Sequence, residues 1–175
     1  MLKACIEIIP NGQFTWIPIP NGDLGTAISD FTEGKDWEFV IVTGEKIGGI
    51  TNFPDNTFHE CDIYSLNNMF LQANDFTYSL ENLVAIDLLL RENNHDCDVV
   101  IDLFEQGKIS IYQAIDMEVV AHQYLENTGP AWYEELKENR LFDYFDFKSY
   151  GEEILESEGT WLKSKRYGII VEVFE

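Results

Sequence analysis

Two near-identical tetrads, His59-Glu60-Cys61-Asp62 and His95-Asp96-Cys97-Asp98, place two imidazoles and two thiols where a tetrahedral zinc ion could be held. A single residue between His and Cys is an unusual spacing for a zinc knuckle. Each tetrad also stands just ahead of a helical pattern, where aspartate caps free amides and suits the positive end of the helix dipole. Capping is the reading these residues favour, and no metal or other cofactor is expected. Asp96 and Asp98 begin like a calcium loop, but the glycine and the distal glutamate of that loop are missing.

Catalytic constellations are equally thin. A metal-dependent nuclease would need Asp55, Glu135 and Lys137 to converge on one metal and one phosphate, yet Glu135 falls in a helical pattern and the surrounding acids would repel the substrate. Asp143 and Asp146 could serve a glycosidase only if packing set their separation. No nucleophile elbow is present, and Gly44, Gly48 and Gly49 lack the Gly-Lys-Ser/Thr ending of a phosphate loop. Neither an enzyme nor a catalytic residue is expected.

The dominant chemistry is charge. The chain of 175 residues carries 32 acidic against 11 basic residues, a net charge of -21. Like charges at this density repel one another and destabilise the compact state, so they need a compensating reason. Direct nucleic-acid binding is excluded for most of such a surface; a basic protein, a basic cleft or cations remain. Between Lys46 and Lys137 the only basic residues are Arg91 and Lys108. The acids there recur among apolar and aromatic residues at helix-like spacings, unlike a disordered acidic tail. Asp98, Asp102 and Glu105 share one helix face, and Glu118 and Glu126 flank His122 on the next. Neighbours of this kind lie roughly 5 to 6 Å apart, the order of adjacent phosphates on one strand. A plain solvated acidic face is the competing explanation.

The elements that must position these groups read as α+β. Leu2 to Ile9 and Phe14 to Ile19 flank an Asn11-Gly12 turn, a hairpin signal. A short helix over Asp23 to Phe31 follows, then a mostly apolar strand, Trp37 to Thr43, expected at the centre of its sheet. A loop is expected over 44–57. Ser65 to Ala73 and Ser79 to Glu92 are helical patterns opening on serine caps, and Asp98 to Gln106 is a third closed by Gly107. The acids of this region include the Asp87 and Arg91 pair at i, i+4.

Beyond Gly107, Ile109 to Tyr112 is a short strand. Asp116 caps a helix with an apolar stripe of Met117, Val120, Ala121, Tyr124 and Leu125, leaving Glu118, His122 and Glu126 on the opposite face. Pro130 opens a helix through Glu138. Ser149 and Glu152 suggest a capping box for a helix ending near Ser157. Thr160 to Lys163 and Gly168 to Phe174 close as a hairpin whose basic turn, Lys163, Lys165 and Arg166, deters strand pairing. The chain divides near Tyr64 and Gly107 into a β-rich segment, 1–64, a helical middle, 65–107, and an α+β segment, 108–175. Three cysteines without a framework spacing, no signal-like segment and no long apolar run point to a cytoplasmic protein.

Several stretches carry a family likeness: Ile111-Tyr112 leading to Asp116-Met117-Glu118 and the helix to Glu126, Tyr144-Phe145-Asp146-Phe147, Tyr150-Gly151, and Glu158-Gly159-Thr160. Weaker agreement lies at Trp16, Val42-Thr43-Gly44-Glu45 and Cys61-Asp62-Ile63-Tyr64-Ser65-Leu66-Asn67. In these the chain resembles the ArdA antirestriction family of DNA mimics. The resemblance implies an elongated homodimer of three small sub-domains whose carboxylates imitate bent duplex. It further implies occupation of the DNA-binding groove of Type I restriction-modification enzymes, in the service of mobile elements. On that reading the partner's Lys and Arg meet Asp75, Glu92, Asp96, Asp98, Asp102, Glu105, Glu118, Glu126, Glu134, Glu135 and Glu138, and the dimer contact involves Ile111 and Tyr112. An acidic module for another basic nucleic-acid-binding protein or defence nuclease is the alternative.

Overall fold

The computed structural model describes residues 2–9, 11–43, 58–73, 77–114, 116–157 and 159–174, apart from the side chains of Val42, Thr43 and His59. The loop expected over 44–57, Asp55 and Asp75 lie outside them. The class is α+β, with two three-stranded antiparallel sheets and seven α-helices among the described residues. Contacts divide the chain into two compact units, Met1–Gly107 and Lys108–Glu175.

In the first unit, β1 (Leu2–Ile8) and β2 (Gln13–Ile19) form the hairpin, paired from Leu2 with Ile19 to Ile8 with Gln13. Its turn needs the left-handed backbone that glycine adopts freely, and Gly12 has φ 66°. The chain then passes through α1 (Leu24–Thr32) to β3 (Trp37–Thr43), giving the order β2-β1-β3. Among the described residues Trp37–Thr43 is thus an edge strand, against the expectation from its apolar sequence. The central strand is β1, whose Leu2, Ala4, Ile6 and Ile8 are all buried, whereas Val40 of β3 is 55% exposed. An apolar run alone does not reveal whether both of its edges are paired.

The helices α2 (Ile63–Gln72), α3 (Leu80–Glu92) and α4 (Cys97–Glu105) complete this unit. Asn67 of α2 is tied to the end of the sheet segment: Asn21 N donates to Asn67 Oδ1 at 2.7 Å and Asn67 Nδ2 returns a bond to Asn21 O at 3.0 Å. Ser79 caps α3 as expected, accepting from Asn82 N. Ser65 does not cap α2; that helix starts earlier, at Asp62, whose carboxylate accepts from the amides of Tyr64 and Ser65. Helix α4 likewise starts one residue early, with Asp96 accepting from Asp98 N and Val99 N. At α2 a carboxylate took the amides that Ser65 was expected to take, and at α4 the cap is the tetrad aspartate. Helix α3 is buried around most of its girth, Asp87 included, and Arg91 Nη2 meets Asp87 Oδ2 at 2.8 Å.

In the second unit, β4 (Ile109–Gln113), β5 (Thr160–Ser164) and β6 (Ile169–Val173) form a sheet of order β4-β6-β5. The expected hairpin of β5 and β6 is present, and its basic residues lie on the edge strand β5 and the turn after it. Helix α5 (Met117–Thr128) is apolar on two sides. Its Val120 packs with Tyr112 and Ile170 of the sheet, while Ala121 and Leu125 pack with Tyr133 of α6 (Ala131–Glu138) and Phe147 of α7 (Phe147–Glu156). Helices α5 and α7 approach so closely that a Cβ at Gly151 would overlap the Met117 carbonyl.

Two local expectations are corrected in this unit. Helix α7 has no Ser149-Glu152 capping box; Asp146 caps it, with Oδ1 accepting from Ser149 N at 2.9 Å and Oδ2 from Ser149 Oγ at 2.8 Å. His122 is less exposed than the Glu118 and Glu126 that flank it. Its ring stacks on Phe147 at 4.0 Å between centroids, and Nδ1 lies 3.1 Å from the Tyr133 hydroxyl. A helix packed on two sides has no single stripe, so the stripe drawn from Met117 to Leu125 covered only part of its buried surface.

Candidate functional site

Helix α4 carries three acids in nine residues. Cys97, Val100 and Ile101 are buried, which turns Asp98, Asp102 and Glu105 outward, and all three are exposed, as is the cap Asp96. Glu92 at the end of α3, Glu118 and Glu126 on α5, and Glu134, Glu135 and Glu138 on α6 are exposed as well. Ten of the eleven carboxylates expected to face a partner are therefore described, and all ten reach solvent. Of these ten, Glu134 alone is ion-paired among the described residues, to Lys137 Nζ at 2.9 Å.

Helix ends sharpen the point. Glu92, Glu105, Glu138 and Glu156 are the last residues of α3, α4, α6 and α7. A helix C-terminus is partly negative, and a like charge there costs roughly 0.3–1 kcal/mol. On α3 and α6 a base in the last turn, Arg91 or Lys137, offsets that cost, but α4 and α7 have none. Local stability does not account for that placement.

The two tetrads do meet, but in pairs. His95 Nε2 lies 3.0 Å from Glu60 Oε2, and the Cys61 and Cys97 thiols, both buried, share a hydrogen bond. That bond, reinforced by burial, pushes the Cys61 thiol up; the same bond draws Cys97 down. Among the described residues no group of three or more His, Cys, Asp or Glu side chains is placed to hold a metal ion. Asp62 and Asp96 act as caps, as the capping reading holds.

Ile111 and Tyr112 differ in exposure. Ile111 is half-buried, whereas Tyr112 is 1% exposed, packed against Tyr124 and Trp161. The Tyr112 hydroxyl donates to Glu172 Oε2 at 2.7 Å. Burial holds Glu172 above the usual carboxylate range, with the tyrosine bond opposing the shift. Tyr112 is thereby packed into the core of its own unit, while Ile111 stays partly accessible.

Sequence reasoning missed a pair of adjoining grooves, one between Trp132 of α6 and the start of α7, the other between α5 and the start of α7. One, of about 470 Å³, is lined by Trp132, Phe145, Asp146, Ser149, Tyr150 and Glu153. The other, of about 420 Å³, includes Glu118, His122, Asp143, Asp146 and Lys148. The signal was available in the aromatic density of 132–150, but the meeting of Trp132 with Tyr150 depends on how the fold brings the start of α6 to the start of α7. Asp143 and Asp146, weighed as an acid pair, both line the second groove, where Asp146 is occupied as a helix cap.

No family model matches this chain, and neither a curated protein nor a solved structure does. Among the described residues no helix is long and apolar enough to cross a membrane.

Proposed function

We propose that this protein is a DNA mimic that inhibits Type I restriction-modification enzymes, acting as a homodimer that occupies their DNA-binding groove and so protects incoming mobile DNA. Inhibition is by occupancy, without turnover. The observation that carries this reading is the state of the ten described carboxylates: all exposed, and nine without a cation among the described residues. A surface left so uncompensated repels itself until a basic partner neutralises it, and complementary charge speeds encounter with such a partner. The choice of target rests on the resemblance of the Ile111-Tyr112, Tyr144-Phe145-Asp146-Phe147 and Tyr150-Gly151 stretches to the ArdA family.

The test is a competition titration of the protein against duplex DNA for a purified Type I methyltransferase, repeated across salt concentrations. Mimicry gives full displacement of DNA at low salt and a steep loss of affinity as salt rises, because the contacts are charge contacts. Binding that leaves DNA in place, or inhibition indifferent to salt, overturns the proposal.

A further inference from the structure

Trp132, in the first turn of α6, meets Phe145 and Tyr150 at the start of α7. The Trp132 and Phe145 ring centroids are 5.3 Å apart with planes only 30° from parallel, while Tyr150 stands edge-on to both, 5.7 Å from Trp132 and 5.6 Å from Phe145. Trp132 keeps 36% of its surface exposed. Solvent-facing indole beside two more rings is a costly arrangement for a face that only meets water.

Carboxylates rim this aromatic floor. Asp146, Ser149, Tyr150 and Glu153 follow at the i, i+3, i+4, i+7 spacing that brings residues to one helix face. The amide and hydroxyl of Ser149 hold the Asp146 carboxyl below the usual carboxylate range, with Lys148 a lesser contributor, so it stays charged. They also fix its orientation, and with the Lys148 backbone as a third donor one lone pair of the carboxylate stays free. No residue lining the groove is basic; Lys148 lines the neighbouring groove instead.

We propose that this groove takes an arginine side chain from a basic protein partner, its guanidinium lying on the indole of Trp132 while its N–H groups bond to Asp146 and Glu153. The inference rests on the reading that the acidic surface faces a basic protein, and it adds a specific anchor to a distributed attraction. A planar, delocalised cation stacks on an aromatic face and presents a fork of donors to carboxylates. A lysine ammonium fits this floor less well, being compact, strongly hydrated and unable to stack. A quaternary ammonium needs a box of rings around it and has no donor for the two acids, and here two of the three rings lie nearly parallel against each other.

The experiment titrates the whole protein with a short blocked peptide containing one arginine, and with its lysine and trimethyl-lysine counterparts. It follows the Trp132 indole N–H in nitrogen-15 NMR spectra, identified by its loss in Trp132→Leu. The arginine peptide is expected to shift that resonance, with binding about tenfold tighter than the lysine peptide. Glu153→Gln, an exposed change that leaves the fold intact, is expected to weaken it about threefold or more. Equal shifts with lysine, preference for trimethyl-lysine, or shifts that bypass Trp132 overturn the proposal. Because the probes are peptides, the groove can fail while DNA competition persists, and competition can fail while the groove still binds arginine.

Discussion

Glu172 sits half-buried under the hydroxyl of Tyr112, and its titration is a local measure of how the second unit is packed. Its folded pKa lies above the ordinary value because burial penalises the charged form. The stabilising contribution is therefore complete below the unfolded pKa and is lost as pH rises through the folded one. Glu172→Gln keeps an acceptor for Tyr112 and removes the charge. It is expected to raise stability at neutral pH relative to the parent and to flatten the difference in the window just above 4.5. Urea unfolding of both proteins from acid to neutral pH checks this; parallel curves would show that Glu172 is solvated. Gly151 makes the complementary steric prediction. Gly151→Ala drives a methyl into the Met117 carbonyl, which is backbone and cannot swing aside. A loss of about 2–3 kcal/mol is expected in thermal or urea unfolding, the scale of overpacking.

At the scale of elements, the helices show which interactions their sequence favours and which it sacrifices. Five of the seven are capped by a side chain at the N-terminus: Asp62, Ser79, Asp96, Asp116 and Asp146 all accept backbone amides. Four of the seven C-termini end on glutamate, against the dipole. Glu105→Lys, at the end of α4, is therefore expected to stabilise the protein by about 0.3–1 kcal/mol. Under the proposed function the same change is expected to weaken inhibition of a Type I restriction enzyme, since it reverses a charge that the proposal offers to the partner. Melting temperature and inhibitory titre measured on one preparation should move in opposite directions. If both rise, the glutamate has no part in binding.

For the whole molecule the governing quantity is the net charge of -21. Self-repulsion among exposed acids is screened over a Debye length of about 10 Å at 0.1 M salt. Added salt should thus raise the melting temperature while it lowers affinity for a basic partner. A distributed surface also implies that no single acid is indispensable: replacing Asp98 alone by Asn should alter inhibition by only about twofold to threefold, whereas neutralising Asp98, Asp102 and Glu105 together should cost far more than any one of them. Abolition of inhibition by one acid-to-amide change would contradict this.

Much of the architecture could be read before any coordinate was known. The Asn11-Gly12 hairpin, the Ser79 cap, the Asp116 helix and the closing hairpin are dictated by neighbours in the chain, and turn geometry, capping and periodicity are local physics. The surplus of acids, and the exposure of those on α4, followed from composition and a helical stripe. Other features depend on residues distant in sequence. Nothing local tells whether Trp37–Thr43 has one paired edge or two, whether Asp62 or Ser65 reaches the first amides of α2, or that His122 lies against Phe147. The Cys61 and Cys97 thiols meet only because α4 packs beside α2, and the ring of Trp132 meets Tyr150 only because the fold brings the start of α6 to the start of α7. The chain by itself determined its charge, its elements and the face each turns to water. Only tertiary packing could decide which buried partners and grooves those elements create, because such contacts are chosen by shape and volume across the fold.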